Sequence, residues 1–186
     1  MRNSSGTWPA LAFLALLLSG CVGLPRHVQK YHSEALPNPR TTSLGRLLLR
    51  AAEKNVRNLR VICHDAVEVL RDRLRDGSFD EILVFFPDPW HKKRHHKRRL
   101  IDTAFVAELA AKLRSGGVLR LATDWQDYAE QMLAVCNADP HLASLSADRT
   151  YVPRPEFRPP TRFERRGERL GHAVWDLAFT KPETAS

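Results

Sequence analysis

From Ser43 onward, short apolar runs alternate with stripes of apolar residues at helical spacing, and few folds accept that alternation. Leu44, Leu47, Leu48 and Ala51 fall at i, i+3, i+4 and i+7, the stripe of a core-facing helix with Ser43 as candidate N-cap. Leu59 to Cys63 reads as a short buried strand. Val67, Leu70 and Leu74 mark a second helix, stopped near Gly77. Glu81 to Phe86 is a strand apolar enough to be buried on both faces. Ile101, Phe105, Leu109 and Leu113 mark a helix ending at Gly116-Gly117, and Val118 to Ala122 is the next strand. Ala129, Met132, Leu133 and Cys136 form another helical stripe, and Ala173 to Phe179 closes the chain as a strand. Strands separated by helices imply an α/β fold, a parallel sheet with helical connections over its faces. No internal repeat is visible.

Composition narrows the class further. The 186 residues are enough for one domain with a short appendage. With 43% hydrophobic and 27% charged residues, wholesale disorder and a fibrous architecture are excluded. No apolar run reaches the roughly 18 to 20 residues that span a bilayer, which excludes a multi-pass membrane protein. Lys plus Arg number 29 against 21 Asp plus Glu, a formal net charge of +8. That surplus favours a polyanionic partner, either nucleic acid or an acidic membrane. Cys21, Cys63 and Cys136 contain no C-x-x-C pair, so they suggest neither a disulfide framework nor a structural zinc site.

Residues 1–42 differ from the rest. Arg2, an apolar stretch from Ala10 to Leu18 and then Ser19-Gly20-Cys21 resemble a bacterial lipoprotein signal peptide. The same segment reads alternatively as a mis-framed start or as a buried first strand with a turn at Gly20 to Gly23. Pro25, Pro37 and Pro39 among polar residues mark a linker. The division expected is therefore 1–42 as leader and linker and 43–186 as the folded domain.

In parallel sheets, ligands sit beyond the carboxyl ends of the strands. That rule selects His64-Asp65-Ala66, Pro87-Asp88-Pro89-Trp90 and Thr123-Asp124-Trp125, each an acid directly after a strand. A single such Asp is often only a helix N-cap, and for Asp65 or Asp124 alone that reading stands level with a ligand-binding one. Asp88 is the most informative, because the flanking prolines fix its backbone and block helix continuation. A rigid acid beside the Trp90 indole suits a flat ring bearing N–H donors. A tight turn with Trp90 filling the core is the alternative.

Next comes His91-Lys92-Lys93-Arg94-His95-His96-Lys97-Arg98-Arg99, in which every residue is basic or protonatable. Such a run is commonly a solvated tail, but here it lies between a strand and a helix inside the domain. An anionic partner would relieve its self-repulsion, and phosphate contacts give salt-sensitive, largely sequence-independent affinity. His91, His95 and His96 have zinc-like spacing, but adjacent cations disfavour a divalent metal and no acid or thiolate completes the set. A third feature, Arg158-Pro159-Pro160-Thr161-Arg162-Phe163-Glu164-Arg165-Arg166-Gly167, interleaves cations, a hydroxyl, an acid and an aromatic. Thr161 and Glu164 are spaced as a capping box. Alternatively, Glu164 accepts from a base's N–H groups while Thr161 and Arg162 meet backbone oxygens of a nucleic acid.

The stretch from Phe85-Phe86-Pro87-Asp88-Pro89-Trp90 through Arg99 closely resembles the signature of bacterial tRNA (guanine-N7-)-methyltransferases. Asn58-Leu59-Arg60 leading to Asp65-Ala66, Thr123-Asp124 followed by Tyr128-Ala129, and Thr161-Arg162-Phe163-Glu164 followed by Gly171-His172 fit as well. The resemblance runs from about Leu44 to Phe179 in order. It implies a Rossmann-like class I fold with helices on both faces of the sheet, S-adenosylmethionine as methyl donor without a metal, and methylation of a variable-loop guanine in tRNA. Asp65 and Asp88 would bind the donor, with Asp88 also the catalytic acid. Lys92, Asp124, Thr161, Arg162, Phe163 and Glu164 would contact the substrate. Arg94, His95, His96, Lys97, Arg98 and Arg99 would contact the RNA. A cytoplasmic monomer or weak homodimer is expected.

One part of the family pattern is missing from recognisable sequence. Upstream of the first helix the family carries a strand ending in an acid, a Gly-rich loop and a second strand ending in Glu. Counting back from Gly45, that Glu position holds Asn38, and Ser19-Gly20-Cys21-Val22-Gly23 is a poor match to the loop. Two other readings follow from this. One is an RNA-binding remnant impaired in catalysis. The other is a lipid-anchored basic protein acylated at Cys21.

Overall fold

The computed structural model describes residues 43–62, 64–161, 164–165 and 173–183. The leader, linker and first-strand readings of residues 1–42, the roles of Arg162 and Phe163, and Cys63, Gly171 and His172 lie outside the described residues. The element order is α1 (Ser43–Glu53), α2 (Ala66–Arg73), β1 (Phe79–Phe85), α3 (Thr103–Lys112), β2 (Leu113–Thr123), α4 (Gln126–Ala138), β3 (Ala143–Ser144) and β4 (Trp175–Thr180). The helix and strand periods read from the apolar pattern thus place β1, α3, β2, α4 and β4 to within a few residues.

The strands form one mixed sheet in the order β1-β2-β4-β3. β1 and β2 are parallel, joined by the α3 crossover, as expected. β4 runs antiparallel to both β2 and β3, which departs from an all-parallel sheet. β4 follows β3 in the chain and pairs with it antiparallel, whereas a parallel neighbour of β2 would need a crossover back over the sheet. Among the described residues the outer edge of β1 has no partner strand.

Alternation along the strands sorts the side chains by face. Val84, Leu119, Leu121, Leu177 and Phe179 point to one face and pack with Leu70 of α2, Val106 and Leu109 of α3, and Tyr128 and Met132 of α4. Each such fully buried side chain contributes about 1.5–3 kcal/mol. The helices are started by side chains that satisfy their first N–H groups. Asp65 Oδ1 accepts from Val67 N and Glu68 N, and Asp102 accepts from Phe105 N. The Tyr128 hydroxyl accepts from Ile101 N at 2.9 Å, locking α4 to the start of α3. Burial pushes its pKa up to about 12. The opposite face carries Leu83, Ala122 and Ala178, and a helical layer was expected there too. Among the described residues it is met instead by the irregular segment around Arg158.

Two sequence expectations fail near the start. Leu59 to Ile62 is not a strand, and Ile62 is 43% exposed. A strand needs a neighbour to take its ladder of N–H and C=O groups, and no described strand lies beside this one. The α1 stripe is not core-facing among the described residues: Leu47 is 44% and Leu48 41% exposed.

Candidate active site at the carboxyl edge of the sheet

β1 delivers the chain to the site. Its last rung is the bond from Phe86 N to Ala122 O at 2.8 Å. Then Phe86 and Trp90 take φ of 54° and 46°, bracketing Pro87-Asp88-Pro89. Bulky residues seldom occupy this left-handed region, and each instance costs about 1–3 kcal/mol unless its surroundings enforce it. The enforcing contacts are present. Asp88 Oδ1 accepts from Trp90 N at 3.0 Å, and Arg99 Nε donates to Pro89 O at 2.9 Å. The Arg98 guanidinium lies 5.1 Å over the Trp90 ring, and the His95 ring meets that indole edge-on at 5.8 Å. The outcome is an exposed carboxylate on a constrained loop, with half-buried Trp90 beside it.

The basic run forms a short 3-10 helix, Lys93–Arg98. Lys92, Lys93, Arg94, Lys97 and Arg98 are exposed, while His95 and His96 are half-buried. Partial burial and the surrounding cations, Arg98 foremost, hold the His95 imidazole below its ordinary pKa. Arg99 departs from its expected role as an RNA contact. Its side chain is 1% exposed. Besides Pro89 O it donates to Gln131 Oε1 at 2.7 Å and Asp127 Oδ2 at 2.5 Å, and it stacks 4.8 Å from the Tyr128 ring. A guanidinium this buried, with Nε, Nη1 and Nη2 each bonded within the protein, is not open to a phosphate. Its hydrogen bond also holds the Asp127 carboxyl below the usual carboxylate range. Arg99 therefore ties the Asp88 loop to α4.

β2 ends beside the same loop. Thr123 is buried and its Oγ1 accepts from Trp125 N at 3.3 Å, leaving Asp124 and Trp125 exposed. The His91 and Trp125 rings meet at 4.2 Å. The structure thus brings the loops of Asp88 and Asp124 into contact. Asp65 is exposed and does perform the helix-capping duty, with Oδ1 2.8 Å from Val67 N. Among the described residues no hydrogen bond or ion pair joins it to the loops of Asp88 and Asp124.

The Thr161–Glu164 turn is a capping box. Thr161 N donates to Glu164 Oε2 at 2.6 Å, and Glu164 N donates to Thr161 Oγ1 at 3.1 Å. Glu164 Oε1 accepts from Arg158 Nη1 at 2.5 Å, and the residue is 3% exposed. Burial opposes its charge, but the Thr161 N–H and the Arg158 guanidinium outweigh that and hold its carboxyl below the usual range. Of the two readings of this turn, the capping box is the one the geometry displays, with both Glu164 oxygens turned into the protein. Sequence reasoning named Arg158 only as one cation of its run and missed Asp176 altogether. The available signal was Asp176, a lone acid within the otherwise apolar run Ala173 to Phe179.

A family model described as "putative methyltransferase" matches residues 38–177. The tRNA (guanine-N(7)-)-methyltransferase of Haemophilus influenzae (strain PittEE) is 53% identical over 141 residues, covering 76% of this chain and 57% of that one. Its namesake from Ectopseudomonas mendocina (strain ymp) is 57% identical over 140 residues, covering 75% and 59%. The one from Serratia proteamaculans (strain 568) is 56% identical over 140 residues, with the same coverage of 75% and 59%. The chain therefore spans 57–59% of the length of these curated relatives. With its motifs on adjoining loops at one sheet edge and the family model matching most of its length, the chain belongs to this methyltransferase family, beside the tRNA (guanine-N(7)-)-methyltransferases.

Proposed function

We propose that residues 43–186 transfer a methyl group from S-adenosylmethionine to N7 of a variable-loop guanine in tRNA, in the cytoplasm, as a monomer or weak homodimer. One observation carries the reading: the constrained, exposed Asp88 and the exposed Asp124 stand on loops joined by the His91–Trp125 contact, next to five exposed cations, Lys92, Lys93, Arg94, Lys97 and Arg98. Acids inside a cationic surface suit a ligand that is polyanionic at large and donates N–H groups locally.

The donor, when bound, supplies a methyl already activated by its sulfonium charge. Asp65 and Asp88 are the residues that would hold it. Among the described residues each uses only Oδ1 within the protein, which leaves Oδ2 for hydroxyl or amino donors of the cofactor. Guanine N7 carries a lone pair and no proton, so no general base is required. The residues' work is then placement of N7 in line at near-attack distance. A carboxylate fixed on the guanine edge orients the ring and favours the positive charge it acquires, a preorganised electrostatic contribution. Asp88 and Asp124 fill that role, with Lys92 and, on the turn that Glu164 braces, Thr161 as further substrate contacts. Arg94, His95, His96, Lys97 and Arg98 meet the tRNA backbone. Exposing the base from its stack is a further requirement, and Trp90 would support the exposed ring.

The test is transfer of labelled methyl from S-adenosylmethionine to an unmodified tRNA transcript, with the product mapped at N7. The full chain should methylate, and Asp88→Asn should fall by about 10²-fold while still binding tRNA. A chain that binds tRNA without transfer would be the RNA-binding remnant instead. Transfer by Asp88→Asn at the parent's rate would remove Asp88 from the mechanism.

A further inference from the structure

Arg158 lies on the sheet face opposite the α2–α3–α4 layer. Strand register aligns Phe85, Ala122 and Asp176 in one row across β1, β2 and β4, at the carboxyl edge of the first two. Above that row the guanidinium is held on three sides. Nε and Nη2 donate to Oδ1 and Oδ2 of Asp176 at 3.0 and 2.7 Å. Nη1 donates to Glu164 Oε1 at 2.5 Å. The group lies 5.6 and 5.5 Å from the ring centroids of Phe85 and Phe86, the residues that open the Asp88 loop. Arg158, Glu164 and Asp176 are 4%, 3% and 5% exposed.

A buried ion cluster gains little stability over apolar packing of the same volume. What it supplies is directional constraint. A planar guanidinium bound edge-on to two carboxylates and stacked against two rings has few alternative orientations. Its three anchors belong to three structural units: Asp176 to β4, Phe86 to the mouth of the Asp88 loop, and Glu164 to the Thr161–Glu164 turn.

We infer that Arg158 is a positioning residue that, clamped by Asp176, sets the Thr161–Glu164 turn in register with the Asp88 loop across the edge of the sheet. The inference rests on the reading of that turn as a substrate contact. It assigns to Glu164, whose oxygens both face the protein, the duty of the link through which Arg158 holds Thr161 in place. Lysine cannot replace the arginine, because one ammonium cannot pair with Asp176 through two bonds and reach Glu164 as well.

The test uses the full chain with Arg158→Lys and Arg158→Ala. Trypsin has sites after Arg162 and Arg165. In both variants cleavage there should rise about tenfold or more, following the population of the opened turn. The cooperative unfolding midpoint should stay within about 4 °C of the parent's in Arg158→Lys, which keeps a cation between the two carboxylates, and fall further in Arg158→Ala, which leaves Asp176 and Glu164 buried and unpaired. Millimolar guanidinium should restore protection to Arg158→Ala and not to Arg158→Lys, whose ammonium still fills the site. For methyl transfer, kcat should fall by about 10²-fold through misplacement, while the dissociation constant for tRNA, set by the basic run, changes by less than about twofold. Parental cleavage rates in Arg158→Lys would overturn the inference. So would even digestion of the whole chain with a collapsed midpoint in that variant, which would make the cluster a general brace. If the parent itself transfers no methyl, the proposed function fails, and the cleavage pattern with its guanidinium dependence still decides whether Arg158 positions the turn.

Discussion

At the scale of single residues, the histidines of the basic run matter through their protons. His95 is held below its ordinary pKa of 6.5 by partial burial and by repulsion from Arg98, Arg94, Lys92 and Lys97. Phosphates arriving at this surface reverse the sign of the local field and raise that pKa, so the complex binds more protons than the free chain. The sign follows: tRNA affinity must grow as pH falls through the region just below 6.5, and stability of the free chain must decline there, because the unfolded state takes up the proton first. Titrating affinity from pH 7.5 to 5.5 should show this rise, flattened in His95→Gln. An unaltered slope in that variant would mean that His95 is not the group whose protonation tightens the complex. The same stretch marks where sequence stops being legible. Arg98 and Arg99 are neighbours with the same side chain in a continuous cationic run. Only the packing of Tyr128, Gln131 and Asp127 from α4 makes one a surface charge and the other a buried strut. No local pattern encodes a partner about thirty residues away. The constrained loop around Asp88 was legible for the converse reason: its two prolines and its place at a strand end are local facts.

Elements were readable where their periodicity is itself produced by burial. β1, β2, α3 and α4 each press an apolar face on the common core, so their spacing could be read without coordinates. The direction of β4 could not, since strand period carries no sign. The β1–β2 pair contains a detail that the apolar pattern also hides. Register shifts between Phe79 and Glu81, opposite the Gly116-Gly117 kink in β2. There Gly116 N donates to Lys181 O at 2.8 Å and Lys181 N to Gly117 O at 2.9 Å, tying the kink to the chain leaving β4. A Cβ on Gly117 would stand 2.9 Å from Arg114 O and 3.1 Å from Phe79 O, both backbone atoms that move only with the sheet. Gly117→Ala should therefore lose about 1–3 kcal/mol, the usual cost of overpacking. At Gly77 an added methyl meets nothing within 4 Å, and only its φ of +64° opposes substitution. Urea unfolding of the two alanine variants compares crowding with backbone strain directly. A Gly117→Ala protein with the parent's midpoint would mean that β2 slides to relieve the contact and that the register is soft.

The molecule as a whole carries a formal net charge of +8, and its basic run lies at the sheet edge that also carries Asp88. For a polyanionic ligand this arrangement divides the work, with phosphates fixing where the RNA lies and a few acids choosing what is read. Each phosphate neutralised contributes roughly −0.7 to −0.9 to the slope of log affinity against log salt. Lys97 is exposed, so Lys97→Ala should make that slope shallower by about one and leave stability within about 0.5 kcal/mol. Arg99→Ala, two positions on, should do the opposite. It removes charge-assisted bonds to Asp127, Gln131 and Pro89 O, so stability should fall by about 2 kcal/mol or more while the slope holds. Salt titrations of tRNA binding and urea unfolding on both variants give four numbers, and the fold requires them to cross. If instead Arg99→Ala matched Lys97→Ala on both axes, Arg99 would be a surface cation in solution. The Asp88 loop would then lose its tie to α4, and the constrained carboxylate on which the proposed chemistry depends would have no support from that side.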